Sequence, residues 1–157
     1  MKAATSPTAL KIQAVLGEGF QVLEFETSTR TAADAAAAIG CNVGQIAKSL
    51  IFRSMGTGRP VLAIASGSVR VDEARLSELL GESIGRADAE FVREHTGFAI
   101  GGVPPIGHRT PPVIFIDETL LEFETVWAAG GTPNAVFCLR PEDLVRLTGG
   151  TVAAIAK

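Results

Sequence analysis

Cysteine and histidine are scarce in this sequence, and their scarcity narrows the chemistry it can do. Two cysteines, Cys41 and Cys138, make no disulfide framework, and both are expected as small buried residues. Two histidines, with no Cys/His cluster around them, give no structural zinc site, so no metal or other cofactor is expected. No apolar run approaches the roughly 18 residues of a membrane span. The N-terminal segment Met1–Pro7 has no apolar signal core behind it. A cytoplasmic protein with no membrane partner is expected. Positive charge is also short: the net charge is −3, which leaves no basic footprint for duplex DNA. An enzyme that touches only the end of an RNA is still allowed. There is no nucleophile elbow and no phosphate loop. A hydrolase of this sequence would work by positioning and electrostatics.

What is present suits one domain over 1–157, with 46% hydrophobic and 20% charged residues. Ser6-Pro7 starts a helix that stops near Gly17. Thr31-Ala-Ala-Asp34 resembles a capping box ahead of an alanine run ending at Gly40. Asp72 and Asp88 cap two further helices, ending at Gly81 and near Gly97. Arg140-Pro-Glu-Asp143 opens a last helix. Strands are expected over 20–25, 46–52, 61–65, 113–116, 124–128, 135–139 and 151–155. Weaker ones are expected over 83–87 and at Phe98-Ala-Ile100. Asn42–Gln45 and Asp117–Leu121 read as turns or single helical turns. Strict strand–helix alternation is missing, so the prediction is α+β, a mixed sheet with flanking helices.

Two stretches carry the candidate chemistry. In Ile46-Ala-Lys-Ser-Leu-Ile-Phe52 side chains alternate in face, so Lys48 travels with Leu50 and Phe52. It is the only lysine between Lys11 and Lys157. It either snorkels from a strand end or holds an anion or carbonyl as a compact charge. The second stretch is Gly101-Gly-Val-Pro-Pro105. It is either a tight turn or a rigid loop whose N–H groups point at an oxyanion. Gly130-Gly131 is a weaker loop of the same kind. His95 suits a helix end, His108 could border a site, and Asp117-Glu118 is a weak acid/base pair.

Three segments occur in order: Gln45-Ile-Ala-Lys-Ser-Leu-Ile-Phe52, Thr96-Gly-Phe-Ala-Ile-Gly-Gly-Val-Pro-Pro-Ile-Gly107 and Phe123-Glu-Thr-Val-Trp-Ala-Ala-Gly-Gly131. Together they resemble the YbaK/ProX family of aminoacyl-tRNA deacylases, found also as the editing insertion of bacterial prolyl-tRNA synthetases. The resemblance runs from about residue 8 to 156. It implies a strongly curved, barrel-like mixed sheet and hydrolysis of the ester joining a wrong amino acid to the 3′ ribose of a tRNA. It gives Lys48 and Gly101 catalytic roles. Gly102, Val103, Pro104, Pro105, Ser49, Ala129, Gly130 and Gly131 would then bind substrate, without a metal. The implied partner is the tRNA 3′ end with its amino acid. The negative charge predicts weak tRNA affinity for the chain alone, which leaves room for a synthetase as helper. Ala129 and Val136 stand where the cysteine-specific branch has serine and aspartate, so a small or aliphatic substrate is expected. The alternative is a catalytically silent module of the same fold that binds a tRNA end or a synthetase. Lys48 is expected to face a pocket rimmed by Gly101–Pro105.

Overall fold

A computed structural model describes residues 1–27 and 29–157. In chain order they form β1 (Lys2–Ala3), α1 (Pro7–Leu16), β2 (Val22–Glu24), α2 (Ala32–Ile39), β3 (Ile46–Ser54) and β4 (Pro60–Ser66). Then come α3 (Glu73–Leu80), β5 (Ile84–Arg86), α4 (Ala89–Thr96), β6 (Val113–Asp117), β7 (Val126–Ala129), β8 (Ala135–Leu139), α5 (Pro141–Thr148) and β9 (Thr151–Ala153). Short 3₁₀ turns at Val43–Gln45 and Glu118–Glu122 fill the places where the sequence allowed a single helical turn.

The strands make one mixed sheet in the order β1-β2-β8-β7-β3-β4-β6-β9, with β5 added to β3. Helices flank it, as the α+β reading expects. The strand order ends at β1 and β9, which do not pair, so the sheet is not a closed barrel and that part of the description holds only loosely.

Alternation explains the core. All seven residues of β4 are buried, as in a strand covered on both faces. Val61 and Ala63 join Leu76, Phe115 and Ile155 on one face. Leu62 and Ile64 join Ile12, Phe137 and Leu144 on the other. Neighbouring β3 divides in the same way: Leu50 and Phe52 pack on the Leu76 face, Ala47 and Ile51 on the Ile12 face. Burying each such large side chain contributes about 1.5–3 kcal/mol. α1 is fixed by Ala9, Ile12 and Leu16.

The helix signals act as read. Ser6, Thr31, Asp72 and Asp88 accept from backbone N–H groups in the first turns of α1, α2, α3 and α4. In α2 the Asp34 carboxylate reaches Arg30 N–H, one residue ahead of the cap. One expected strand does not form. Phe98-Ala-Ile100 is turn and bend, because buried Thr96 captures its backbone: the Thr96 hydroxyl donates to Val92 O (2.6 Å) and accepts from Phe98 N–H (3.0 Å). Such local side-chain bonds compete with ladder formation.

Candidate active site

The site begins as a discontinuity in the sheet. Along one edge β3 pairs β4 from Ala47 to Arg53. Along the other it pairs β7, in parallel, at Ile46 and Ala47, and β5 from Phe52 to Ser54. Between those partners, Lys48 to Ile51 have no strand beside them among the described residues. Successive residues of a strand aim their N–H and C=O groups at opposite edges. On the β4 side, Ser54 N–H donates to Arg59 O, and Ile46 O accepts from Gly67 N–H. On the β5 side, Met55 N–H donates to Ser83 O. Odd-numbered residues of β3 therefore aim their backbone groups into the gap, with Ser49 at its middle. The Ser49 hydroxyl is buried, with no hydrogen-bond partner among the described residues.

Two cavities open onto this gap. A cleft of about 280 Å³ extends towards β7, β8 and the start of α2. A second, of about 240 Å³, extends towards β5 and α4. They share Ser49, Leu50, Ile100, Gly101 and Val103, so one groove runs across the gap beneath the Gly101 loop. Ala129 and Val136 are register partners on β7 and β8, and both line the larger cleft.

The structure brings Lys48, Ser49, Gly101, Val103 and Ala129 together around that cleft. Gly102, Pro104, Pro105, Gly130 and Gly131 do not line it; they stand behind the lining and hold it. A Cβ on Gly102 would sit 2.8 Å from Thr132 Cα and 3.0 Å from Gly131 O. The two glycine-pair loops are thus packed backbone to backbone, which glycine permits. Gly130 lies against Val22 and Ala135, and Gly131 against Thr8 and Ile12 of α1. Pro104 and Pro105 are buried. Pro104 O accepts from His108 Nε2 (2.6 Å), so His108 braces the loop from behind. That bond puts the proton on Nε2 of the neutral ring. Burial holds the imidazole below its ordinary pKa, with the Pro104 carbonyl opposing the shift. His108 Nδ1 is buried without a partner.

The loop's free donors are few. Gly102 N–H is used by Ala99 O (3.0 Å). The N–H groups of Gly101 and Val103 have no hydrogen-bond partner among the described residues. Gly101 sits at φ +94°, with open space where a Cβ would be.

The ammonium of Lys48 donates to Val69 O at 2.8 Å. Its side chain belongs to the Leu50 and Phe52 face, so the charge is seated on the turn after β4 and not on the Gly101 loop. Burial, then the nearby Arg70 guanidinium, lowers its pKa, and Asp117 offsets part of that. The turn is fixed. Ser66 O accepts from Val69 N–H, Gly67 N–H donates to Ile46 O, and the Ser66 hydroxyl donates to Gly44 O (2.7 Å). Fully buried Asp117 accepts from Ser66 N–H and from Thr119, so its carboxylate is engaged in structure. His95, at the end of α4, meets Thr110 and lines neither cavity. Cys41 and Cys138 are free and half-buried, less buried than expected.

Sequence reading missed Trp127, Thr132, Ile100 and the Thr29–Ala32 approach to α2, all of which line the cleft. Trp127 was within reach: it lies two residues before Ala129 and so on the same face of β7. As a set, the groove offers one ammonium, two unpaired loop N–H groups and the open edge at Ser49. Such groups can orient and polarise a carbonyl compound. The Ser49 hydroxyl has no base beside it, which an activated nucleophile requires.

Comparison with known proteins adds the following. The model of the aminoacyl-tRNA editing domain matches residues 26–147. The uncharacterized protein YwhH of Bacillus subtilis (strain 168) is 37% identical over 123 residues, 78% of each chain. The proline–tRNA ligase of Nitratidesulfovibrio vulgaris (strain DP4) is 32% identical over 143 residues, 90% of this chain but 23% of the ligase. The chain thus spans about a quarter of that relative. A solved structure provisionally assigned as a trans-editing enzyme for prolyl tRNA synthetase superposes with a TM-score of 0.92 at 47% identity, covering 98% of this chain and 99% of the other.

Proposed function

The chain belongs to the aminoacyl-tRNA editing domain family, and from that premise we propose that it is a deacylase hydrolysing the ester of a mischarged tRNA. The carrying observation is the groove at the sheet gap, where Lys48, Gly101 and Val103 border one cavity and the N–H groups of Gly101 and Val103 are unpaired among the described residues. Water adds to the ester carbonyl carbon. The bond to the ribose oxygen then breaks, leaving a free amino acid and the tRNA hydroxyl. The two loop N–H groups donate to the carbonyl oxygen and stabilise the negative charge that develops on it. Lys48 has three N–H donors and places one on Val69 O. The other two are available to a phosphate or hydroxyl of the terminal nucleoside. A ribose hydroxyl of the substrate supplies the proton relay.

The larger cleft takes the amino acid. Ala129 and Val136 make its wall apolar, which favours a small or aliphatic side chain. The matches to YwhH and to the trans-editing structure span most of those chains, and the match to the ligase spans 23% of it. The provisional assignment of that solved structure as a trans-editing enzyme supports action in trans.

The test is a deacylation panel of mischarged tRNAs with wild type and Lys48→Ala side by side. Wild type should hydrolyse at least one of them. The variant should lose about 10²-fold in rate, as when a substrate-positioning contact is lost, while circular dichroism stays native. Full activity in a natively folded Lys48→Ala protein would sink the reading.

A further inference from the structure

Ser49 is the least satisfied residue of the central strand. Among the described residues its backbone N–H and C=O face a gap with no strand in it, and its buried hydroxyl has no partner. Buried backbone groups are nearly always paired, by protein, water or ligand. The unpaired stretch also lies where the two cavities meet.

An aminoacyl ester carries the complementary groups in the order N, Cα, C=O, which is the order within a strand residue. In an antiparallel ladder a hydrogen-bonded pair exchanges two bonds, each residue's N–H donating to the other's C=O. We propose that the amino acid of the substrate fills the gap in β3 as a one-residue strand, its α-ammonium donating to Ser49 C=O and its ester carbonyl accepting from Ser49 N–H. This rests on the deacylase reading and deepens it. Gly101 and Val103 line the same two cavities as Ser49, and in this arrangement their N–H groups would donate to the same carbonyl oxygen from the other rim. An oxyanion can accept from both sides. Recognition of this kind reads the backbone of the amino acid and leaves its side chain to the Ala129–Val136 wall. It also demands a free α-ammonium, which excludes N-acylated and peptidyl esters as substrates.

The test varies the α-substituent and leaves the protein whole. Alanyl-tRNA, or the fastest small aminoacyl-tRNA of the panel, is compared with its α-hydroxy analogue (lactyl) and its des-amino analogue (propionyl). Each rate is divided by the uncatalysed rate of the same ester, because an α-ammonium activates the ester by itself. The des-amino ester should lose about 10- to 100-fold of the rate enhancement, the loss of a charged hydrogen bond. The α-hydroxy ester, which keeps a neutral donor, should fall between. Ser49→Ala keeps the backbone edge, so the same ratios should persist in it. Equal enhancement of alanyl- and propionyl-tRNA overturns the inference and leaves the deacylase reading standing. Ratios that vanish in Ser49→Ala overturn it too, because they assign recognition to the hydroxyl. If no aminoacyl-tRNA of the panel is hydrolysed, the reading beneath it fails.

Discussion

Gly102→Ala tests whether the two loops act as one unit. The added methyl would lie 2.8 and 2.9 Å from Thr132 Cα and C, and 3.0 Å from Gly131 O. All three are backbone atoms, so no side chain can turn aside. Restoring ordinary contact requires the Gly101 loop and the Gly131–Thr132 loop to part by about half an ångström or more. Overpacking of this kind costs about 1–3 kcal/mol of stability. Misplacing a catalytic group by about 1 Å can cost about 10²-fold in rate, so a shift of this size predicts a loss of about 10-fold or more. Gly101→Ala is the informative partner. A crowded loop would be the simple reason for it to fail, yet nothing lies within 4 Å of its Cβ position. Its penalty comes from φ +94°, a conformation costing a non-glycine residue about 1–2 kcal/mol. Single-turnover deacylation should be measured for both variants well below their melting temperatures. Gly102→Ala should slow the chemical step even where it is fully folded. A folded Gly102→Ala protein with the wild-type single-turnover rate would refute the idea that loop-to-loop packing sets the catalytic geometry.

Gly67→Ala should act on the other rim: its Cβ would meet Val43 O at 2.5 Å and Ala32 Cβ at 2.8 Å, pushing away the turn that carries Val69 O. We expect kcat to fall about tenfold or more with KM little changed; an unchanged kcat in folded protein would show that Lys48 does not need that seat. His108 predicts a pH effect on stability. Its folded pKa is depressed by burial below the ordinary imidazole value of about 6.5, so the unfolded chain binds more protons around and below that pH. The stability contributed by the neutral ring is present above about pH 6.5 and is lost as pH falls towards the folded pKa. His108→Gln keeps a donor for Pro104 O without titrating, so the change in urea midpoint between pH 7 and pH 5 should shrink; an identical change in both proteins would refute this. The Ala129–Val136 wall predicts faster hydrolysis of alanyl-, seryl- or aminobutyryl-tRNA than of cysteinyl-tRNA, and the reverse order would contradict it.

The local grammar of the fold is legible in the sequence because it depends on neighbours a few residues apart. Thr31, Asp72 and Asp88 cap the helices they precede, and Gly40, Gly81 and Gly97 end them. The face shared by Lys48, Leu50 and Phe52 follows from alternation alone. What alternation leaves open is the destination of a flexible side chain: Lys48 ends on Val69 O, in a turn fixed by contacts with Ile46, Gly44 and Asp117. Phe98-Ala-Ile100 fails as a strand because one threonine hydroxyl competes with the ladder. Sequence pattern groups Pro104, Pro105, Gly130 and Gly131 with the substrate-binding residues, whereas the structure puts them outside the cleft lining. Spacing along the chain does not separate a residue that touches a ligand from one that props its neighbour.

The gap beside Ser49 is invisible to local pattern for a stronger reason. It exists because β7 leaves β3 after Ala47 and β5 joins it only at Phe52, and those strands lie about 80 and 30 residues further along the chain. A strand of nine residues, with good alternation and a fully buried neighbour, is expected to be paired along its whole length. Extending β7 past Ala129 would close the gap, but Gly130 instead folds back so that its N–H donates to Ala135 O (2.8 Å), opening the return strand β8. The fold thereby forgoes two or three ladder hydrogen bonds, each worth about 1 kcal/mol net. Departures from local consistency gather where function requires them, and here the departure lies in the strand that carries Lys48. The lysine is visible in the sequence because it breaks the apolar pattern of its face. Its neighbour Ser49 conforms to the pattern, yet it holds the unsatisfied backbone that a substrate would complete.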